Sequence, residues 1–344
     1  MERNYTKIYF LGIGGIGMSA LARYYMHEGY RVAGYDRTAT PLTRALEAEG
    51  AEVHYEDDIN LIPEDMRSAE DTLVILTPAI PADHMEWAWL RERGFHIEKR
   101  SQILGHISEG KLCMAVAGTH GKTTTSTLAA WLNHAAAKEG SAILGGVSRN
   151  FNSNLSLGEG KRLVVEADEY DRSFLRLHPN VAVITAADAD HLDIYGTAEA
   201  VKEAFEEFAS QIKEGGALIL KQGVELKFDT ASRSLYRYSC DNGGDFHAEN
   251  IALIEDGHYR YDIVLPDGRI EGCTLGILGK VHIENSVAAV AMLWCAAKIE
   301  NKPFDKEAVK EALRSFEGVK RRMEVYINTP KLVYIDDYAH HPEE

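Results

Sequence analysis

Cysteine, apolar runs of membrane length and positive charge are all scarce in this sequence. Its four cysteines lie far apart in 344 residues and form no Cys-x-x-Cys motif, which favours buried free thiols in a reducing cytoplasm. No stretch approaches the roughly 20 apolar residues that span a membrane. The first residues also lack the apolar core of a signal peptide. We therefore expect a cytoplasmic protein without a membrane partner.

The shortage of positive charge restricts the ligands that the chain can bind. It has 37 lysines and arginines against 53 aspartates and glutamates, which gives a formal net charge of −16. Nucleic acid and anionic membranes are therefore not expected as partners. An anionic ligand would have to be held by local features such as glycine loops, helix N-termini, Mg²⁺ or single arginines.

The order of the apolar segments predicts an α/β protein. A length of 344 residues fits two or three domains. Strand-like and helix-like segments alternate over residues 7–76, which is typical of a parallel sheet with helices on both faces. The alternation resumes with a strand over residues 111–117. Short strands and turns over residues 234–275 indicate antiparallel additions, and we expect the first domain to end near residues 100–110.

A phosphate-binding loop is the most informative motif. Gly-Thr-His-Gly-Lys-Thr-Thr occupies Gly118–Thr124, directly after the apolar run Leu112–Ala117 and before an Ala-rich helix. Such a loop points backbone N–H groups at a phosphate, and the helix adds its positive dipole end. Lys122 can reach the β- and γ-phosphates, and the Thr123 hydroxyl can ligate Mg²⁺. Nucleotide binding is favoured over a chance turn, although Val116 stands in place of the first glycine of the general P-loop.

A second glycine loop lies near the N-terminus. It reads Gly-Ile-Gly-Gly-Ile-Gly over residues 12–17, between a strand and a helix, and Asp36 follows at the end of the next strand. The spacing fits the dinucleotide fingerprint, in which an acid contacts a ribose hydroxyl. The pattern indicates only a place for a pyrophosphate, which NAD, FAD and UDP-sugars all carry. A tight turn without a ligand is the alternative.

Two further strand ends carry groups that suit a cation. Glu166 follows the apolar residues Leu163–Val165, and His191 follows the strand at Val181–Thr185. The carboxyl ends of parallel strands meet beside the phosphate loop in doubly wound folds. A carboxylate there can hold Mg²⁺ directly or through water. We therefore predict a metal site formed by Thr123, Glu166 and His191.

Together these motifs resemble the Mur ligase family. Three of them match the family's middle domain in the same order: Gly118–Thr124, Glu166–Glu169 and Asp190–Asp193. Others resemble the member that adds L-alanine to a nucleotide sugar: Gly12–Ser19, Thr77–Ile80, Arg100–Leu104, Gly318–Arg322 and Asp336–Pro342. The resemblance covers nearly the whole chain.

The resemblance implies three domains. The first is a Rossmann-like, UDP-sugar-binding domain with a parallel sheet over residues 1–108. The second is a central P-loop α/β ATPase domain with added antiparallel strands over residues 109–322. The third, over residues 323–344, is the start of another Rossmann-like domain, which we expect to be truncated.

The resemblance also implies an ATP-dependent, amide-forming ligase of peptidoglycan synthesis. ATP would phosphorylate the lactyl carboxylate of UDP-N-acetylmuramate, and the amine of L-alanine would then displace phosphate from the acyl phosphate. Positioning and charge neutralisation dominate phosphoryl transfer. Those roles are implied for Lys122, for Mg²⁺ or Mn²⁺ on Thr123 and Glu166, and for a second ion near Glu166 and His191.

Three sets of binding residues follow from the resemblance. The ATP-binding set is Gly118, Thr119, His120, Gly121, Lys122, Thr123, Thr124, His282, Asn285, Arg321 and Asp336. The UDP-substrate set is Gly12, Gly14, Gly15, Ile16, Gly17, Asp36, Thr77 and His120. The amino-acid set is Tyr338 and His340, and the implied catalytic residues are Lys122, Glu166 and His191.

The chain departs from the family pattern in its adenine motif. The family's Gly-x-His-Asn-x-x-Asn becomes Gly-Lys-Val-His-Ile-Glu-Asn over residues 279–285, so only the last asparagine is retained. Several relatives also use a carbamylated lysine near the metals, and Lys202 lies in that region. With the third domain truncated, we expect the 344-residue chain to bind UDP-N-acetylmuramate without measurable ligase activity. The run Leu332–Ile335 would then lack a pairing partner.

Three other functions stay open from the sequence. An NAD-dependent oxidoreductase would explain the first loop and Asp36, but not Lys122, Glu166 and His191. A non-catalytic UDP-sugar-binding module also fits a chain with a truncated third domain. A peptide-recycling ligase would join a tripeptide to the same nucleotide sugar, and the pocket that discriminates it would lie mostly beyond Glu344.

Overall fold

The chain forms two compact units. In this computed structural model they comprise Met1–Ile107 and Ser108–Glu344. The structure describes residues 5–170, 172–188, 192–254 and 257–339. Each unit has its own sheet, which confirms the predicted α/β class.

The first unit is a five-stranded parallel sheet with the order β3-β2-β1-β4-β5. Its strands are β1 Lys7–Leu11, β2 Arg31–Tyr35, β3 Glu52–His54, β4 Thr72–Leu76 and β5 His96–Lys99. Its helices are α1 Ile16–His27, α2 Pro41–Glu49, α3 Met85–Glu92 and α4 Arg100–Ser108. The central strands are apolar and buried, as in sheets that are covered on both faces. Because the strand order reverses beside β1, a crevice opens at the carboxyl ends of β1 and β4.

The second unit is built on a ten-stranded mixed sheet with the order β15-β14-β13-β12-β11-β10-β6-β9-β7-β8. Its strands are β6 Leu112–Ala117, β7 Ser141–Ser148, β8 Ser153–Ser156, β9 Arg162–Glu166, β10 Val181–Ile184, β11 Ala217–Lys221, β12 Ser234–Ser239, β13 Phe246–Leu253, β14 Tyr259–Leu265 and β15 Gly268–Thr274. The antiparallel pairings of β13 with β14 and of β14 with β15 are the predicted additions. Parallel β9, β6 and β10 are neighbours at its centre, so their carboxyl ends meet.

The described residues of this unit include five helices. They are α5 Lys122–Ala135, α6 Leu192–Tyr195, α7 Ala198–Ser210, α8 Val281–Ile299 and α9 Lys306–Arg314. Fourteen of the 19 residues of α8 are buried, because the helix packs against α5 and the central strands inside the main apolar cluster. Every residue from Val287 to Ala297 is buried, which explains why this part of α8 is apolar throughout and not amphipathic.

A hairpin follows the sheet. Its strands β16 Glu324–Thr329 and β17 Leu332–Asp336 pair antiparallel. The expectation that Leu332–Ile335 lacks a partner is therefore wrong, because the preceding strand supplies the main-chain hydrogen bonds. Both strands are largely exposed.

Two composition-based expectations can be compared with the described residues. All four cysteines are free thiols, and Cys113, Cys273 and Cys295 are buried. Within the same residues, no helix combines the length and apolar character that crossing a bilayer requires.

Candidate functional site

The phosphate loop joins β6 to α5 through two glycines in left-handed conformations. Gly118 has φ +133° and Gly121, the N-cap of α5, has φ +76°. A Cβ at Gly118 would overlap the hydroxyl of Thr185, which follows β10. Both positions therefore need glycine. The loop leads directly into the N-terminus of a 14-residue helix, where backbone N–H groups and the helix dipole favour an anion.

Lys122 is folded back against its own loop. Its Nζ atom donates a hydrogen bond to Gly118 O at 2.7 Å and lies 2.8 Å from Glu169 Oε1. The Glu169 side chain is 1% exposed. Burial raises the pKa of Glu169, while the nearby ammonium opposes that shift.

The two predicted metal ligands that the structure describes lie together. Thr123 Oγ1 donates to Glu166 Oε1 at 3.1 Å, and Ser126 Oγ donates to the other carboxylate oxygen at 3.3 Å. Gly145 N also donates to Glu166 Oε2, at 3.2 Å. Burial raises the pKa of Glu166, and Lys122 works against that shift. His191 lies outside the described residues. Among the described residues, no cluster of three or more His, Cys, Asp or Glu suited to a metal occurs.

His120 and Thr119 face an acid that follows β10. His120 Nε2 lies 3.8 Å from Asp188 Oδ2, and Thr119 Oγ1 donates to the same oxygen at 3.5 Å. Thr185 is in hydrogen-bond contact with the carbonyl oxygens of Ala117 and His120. Residues that follow β10 therefore hold the loop by hydrogen bonds, in addition to its covalent connection to β6.

His282 and Asn285 begin α8 next to the loop. Thr125 Oγ1 donates to Asn285 Oδ1 at 3.2 Å, and Asn285 Nδ2 lies 3.3 Å from His282 Nδ1. Burial lowers the pKa of His282 to about 4, so the imidazole is neutral at pH 7. With Nδ1 accepting from the amide, the ring carries its proton on Nε2, which has no partner among the described residues. A ligand acceptor could satisfy this donor.

These groups surround one cavity of about 500 Å³. Among the predicted site residues it is lined by Thr119–Thr124, Glu166, His282, Asn285 and Tyr338. Sequence reasoning assigned no role to other lining residues, among them Gly145, Asp168, Thr185, Asp188, Lys221 and Tyr238. Of these, Asp168, Thr185 and Asp188 lie within four residues after the end of β9 or β10, so their position near a strand end was the available signal.

Three predicted ATP-binding residues that the structure describes do not line this cavity: Gly118, Arg321 and Asp336. Arg321 Nε lies 3.7 Å from Asp336 Oδ2. The Arg321 guanidinium stacks over the Tyr338 ring at 4.6 Å. His340 lies outside the described residues. Lys202 is an exposed residue of α7 and does not line the cavity.

The first unit contains the other predicted loop, at the crevice beside β1 and β4. Gly14 N donates to Asp36 Oδ2 at 2.7 Å, so the acid braces the loop. A Cβ at Gly14 would lie 2.5 Å from Thr43 Cγ2 and 2.8 Å from Asp36 Oδ2. At Gly17, a Cβ would lie 2.6 Å from Arg100 Nη1. An arginine thus lies beside the N-terminus of α1, a suitable place for an anionic group.

Thr77 packs on the same loop. A Cβ at Gly12, which has φ +88°, would overlap the Thr77 methyl group, and Thr77 N donates to Leu11 O at 3.2 Å. Gly15 caps α1 without a side-chain hydrogen bond, and Ile16 begins the helix. The predicted loop residues therefore share one end of the parallel sheet.

Comparison with known proteins identifies both units. Residues 7–112 match the Mur ligase family, catalytic domain, and residues 116–293 match the Mur ligase middle domain. The chain is 47% identical to the UDP-N-acetylmuramate–L-alanine ligase of Parabacteroides distasonis, over 98% of this chain and 72% of that protein.

Solved structures agree in fold. A crystal structure of UDP-N-acetylmuramate-alanine ligase MurC from Thermotoga maritima superposes with a TM-score of 0.83 at 28% identity, over 98% of this chain and 75% of that one. The UDP-N-acetylmuramate:L-alanyl-gamma-D-glutamyl-meso-diaminopimelate ligase from Neisseria meningitides has the same fold, with a TM-score of 0.78 at 22% identity, over 92% of this chain and 100% of that one. On this evidence the chain belongs to the Mur ligase family.

Proposed function

We propose that this chain serves the ATP-dependent ligation of L-alanine to the lactyl carboxylate of UDP-N-acetylmuramate. The observation that carries the proposal is the juxtaposition of Lys122, Thr123 and Glu166 at adjoining strand ends around one cavity. The name of the relative that is 47% identical supplies the reaction and its substrates. Because ATP is the phosphoryl donor, we propose that the reaction takes place in the cytoplasm.

The chemistry requires that a poor electrophile be activated. The γ-phosphoryl group of ATP passes to a carboxylate oxygen and ADP leaves. The amine nitrogen of L-alanine then attacks the acyl carbon, loses a proton, and expels phosphate. The loop residues 118–124 would bind and orient the phosphates, and Lys122 would neutralise the charge that develops on them.

The oxygen donors fit a hard divalent cation. Thr123 Oγ1 and Glu166 Oε1 are 3.1 Å apart, and Mg²⁺ is commonly bound through one or two protein oxygens together with substrate phosphates and water. Such an ion, when bound, supplies charge neutralisation for the β- and γ-phosphates. We propose Mg²⁺, with Mn²⁺ as the alternative, held by Thr123 and Glu166. His191 stays a predicted ligand.

The remaining contacts extend this proposal. The neutral His282 presents a buried N–H donor beside Asn285, which suits an acceptor nitrogen of adenine.

Arg321 and Asp336 stay predicted ATP contacts, and Tyr338 and His340 stay predicted amino-acid contacts. In the first unit, Gly12–Gly17 with Asp36 and Thr77 would bind the UDP moiety. His120 stays a predicted contact of the sugar substrate. The domain boundaries 1–108, 109–322 and 323–344 are part of the same proposal.

A peptide-recycling ligase is the second candidate. It is favoured only by fold similarity at less than 25% identity, as with the Neisseria ligase at 22%, whereas the proteins named as L-alanine ligases are more similar. Membership of the Mur ligase family gives no support to the NAD-dependent oxidoreductase.

The proposal is tested by measuring ADP release from the full-length natural protein. With ATP and UDP-N-acetylmuramate present, L-alanine should stimulate ADP release, and L-alanyl-γ-D-glutamyl-meso-diaminopimelate should not. The opposite preference would identify the peptide-recycling ligase. On the 344-residue chain, calorimetry should detect UDP-N-acetylmuramate binding and no NAD binding. Tight NAD binding would exclude the proposed role of the first glycine loop.

A further inference from the structure

The ion pair between Lys122 and Glu169 has no role in the proposed reaction as described above. The two charged groups are 2.8 Å apart, and the lysine side chain is 15% exposed. The same Nζ atom also donates to Gly118 O. The cation that the reaction needs at the γ-phosphate is therefore already engaged by a buried carboxylate and by its own loop.

We propose that Glu169 is a positioning residue that holds Lys122 against the loop in the empty site and releases it when a nucleoside triphosphate binds. This inference rests on the proposed function, because the competing ligand is the triphosphate of ATP. Glu169 would thus set how tightly the site binds ATP.

The main chain of Glu169 is anchored and its side chain is more buried than that of Lys122, so we expect the lysine to be the partner that moves. Tyr195 Oη donates to Glu169 O at 2.6 Å, and Arg172 N donates to the same oxygen at 2.9 Å. The Arg172 guanidinium also stacks over the Tyr195 ring at 5.8 Å. Lys122, in contrast, carries its charge on a flexible four-carbon stem. A phosphate can draw the ammonium outward, whereas the carboxylate is 1% exposed and is enclosed by protein.

Competition for one ammonium must lower ATP affinity. Charges in a buried site are weakly screened, so a carboxylate beside the triphosphate acts strongly on it. Separating a buried pair also leaves the carboxylate without its compensating charge. By thermodynamic linkage, the free energy by which bound ATP destabilises the ion pair equals the free energy by which the ion pair weakens ATP binding.

Glu169→Gln separates this role from a merely structural one. The amide oxygen can still accept the hydrogen bond from Lys122, but the competing charge is gone. Calorimetry should show ATP bound about 5- to 10-fold more tightly than by the unmodified protein, within the usual range for such coupling. In a thermal unfolding assay the ligand-free variant should melt lower, and ATP should raise its melting temperature by more. A residue with only a structural role would lower ATP affinity when changed.

Two further variants complete the test. Glu169→Asp keeps the charge but places it farther from Lys122 Nζ. Its ATP affinity should therefore lie between those of the unmodified protein and Glu169→Gln. If the glutamine variant does not fold, the aspartate variant tests the same prediction. Asp168→Asn removes a neighbouring charge that lines the same cavity and accepts from Tyr170 N at 3.2 Å. Its gain in ATP affinity should be less than half that of Glu169→Gln.

The outcomes are distinguishable. Unchanged or weaker ATP binding by both Glu169 variants would overturn the proposal, and so would an equal gain from Asp168→Asn, which would indicate general repulsion. Absence of ATP binding in the unmodified protein and all variants would instead refute the proposed function, and this inference with it.

Discussion

The Thr185 hydroxyl lies directly against the α-carbon of Gly118, in the space that a Cβ at that position would need. The contact joins the end of β10 to the phosphate loop after β6, although 67 positions separate the two residues in the chain. Thr185 also contacts the carbonyl oxygens of Ala117 and His120. The loop therefore keeps its shape through a residue that binds no phosphate in the proposed reaction.

Thr185→Val should lower ATP affinity about 5- to 10-fold, because it removes the hydroxyl and leaves two loop carbonyls less well satisfied. Thr185→Ser retains the hydroxyl and is the matched control, with affinity close to that of the unmodified protein. Calorimetry with ATP measures both. A loss in Thr185→Ser without a loss in Thr185→Val would show that the methyl group, and not the hydroxyl, supports the loop.

In the full-length natural protein, Lys122→Ala should reduce ADP release by more than about 100-fold, because it removes the cation proposed to neutralise the γ-phosphate. The fold should persist, since a short apolar residue is well tolerated at the first turn of a helix. Coupled ADP-release kinetics and circular dichroism check the two statements. A variant that keeps more than a tenth of the original rate would contradict the assigned role.

In the full-length natural protein, Glu166→Gln should raise the Mg²⁺ concentration needed for half-maximal activity, because it removes the negative charge from one of the two proposed oxygen ligands. Glu207→Gln is the control: Glu207 lies on α7 and pairs with Arg172 at 3.2 Å, away from the cavity. Metal titrations of activity should separate the variants. The same titration on His191→Ala tests its predicted role, and an unchanged metal requirement in both site variants would mean that neither residue binds the ion.

Gly14→Val should abolish detectable binding of UDP-N-acetylmuramate, because its side chain would collide with Thr43 and with the Asp36 carboxylate. Gly15→Ala is the steric control for folding, since its Cβ would meet Gly12 O and Met18 Cγ at an ordinary 3.6 Å. Calorimetry reports binding, and thermal unfolding reports whether the loop still packs. If Gly14→Val binds the nucleotide sugar normally, the pyrophosphate does not approach this part of the loop.

Glu86 should make the stability of the first unit depend on pH. Its carboxyl is fully buried, with Oε2 2.6 Å from the Tyr9 hydroxyl, and burial raises its pKa to about 8. Between the ordinary pKa of about 4.3 and this value, the folded state holds a proton that the unfolded state has released. Stability from this group should therefore fall as pH rises through that interval.

Glu86→Gln should remove that dependence. The variant should unfold at a higher temperature than the unmodified protein at pH 8, with a smaller or reversed difference at pH 5. Thermal unfolding at the two pH values measures this. A difference that does not change with pH would show that Glu86 is ionised throughout.

The local motifs were predictable from the sequence. Apolar runs of strand length followed by glycines determined β1 and β6 and the loops after them, because strand burial and left-handed turns depend mainly on neighbouring residues. Glu166 could be selected over the other acids of its segment because it directly follows a buried strand. The alternation of strands and helices also predicted the α/β class, with antiparallel strands where the pattern changed.

Only the tertiary structure decided which of these groups meet. Sheet order places β9 and β10 on either side of β6, and that order brings Glu169 to Lys122 and Thr185 to Gly118. Folding likewise turned Asp36 toward Gly14 N and paired Leu332–Asp336 with the preceding strand. The physical reason is that a motif determines its own backbone shape and chemistry, whereas contacts between residues far apart in the chain depend on how whole strands and helices pack.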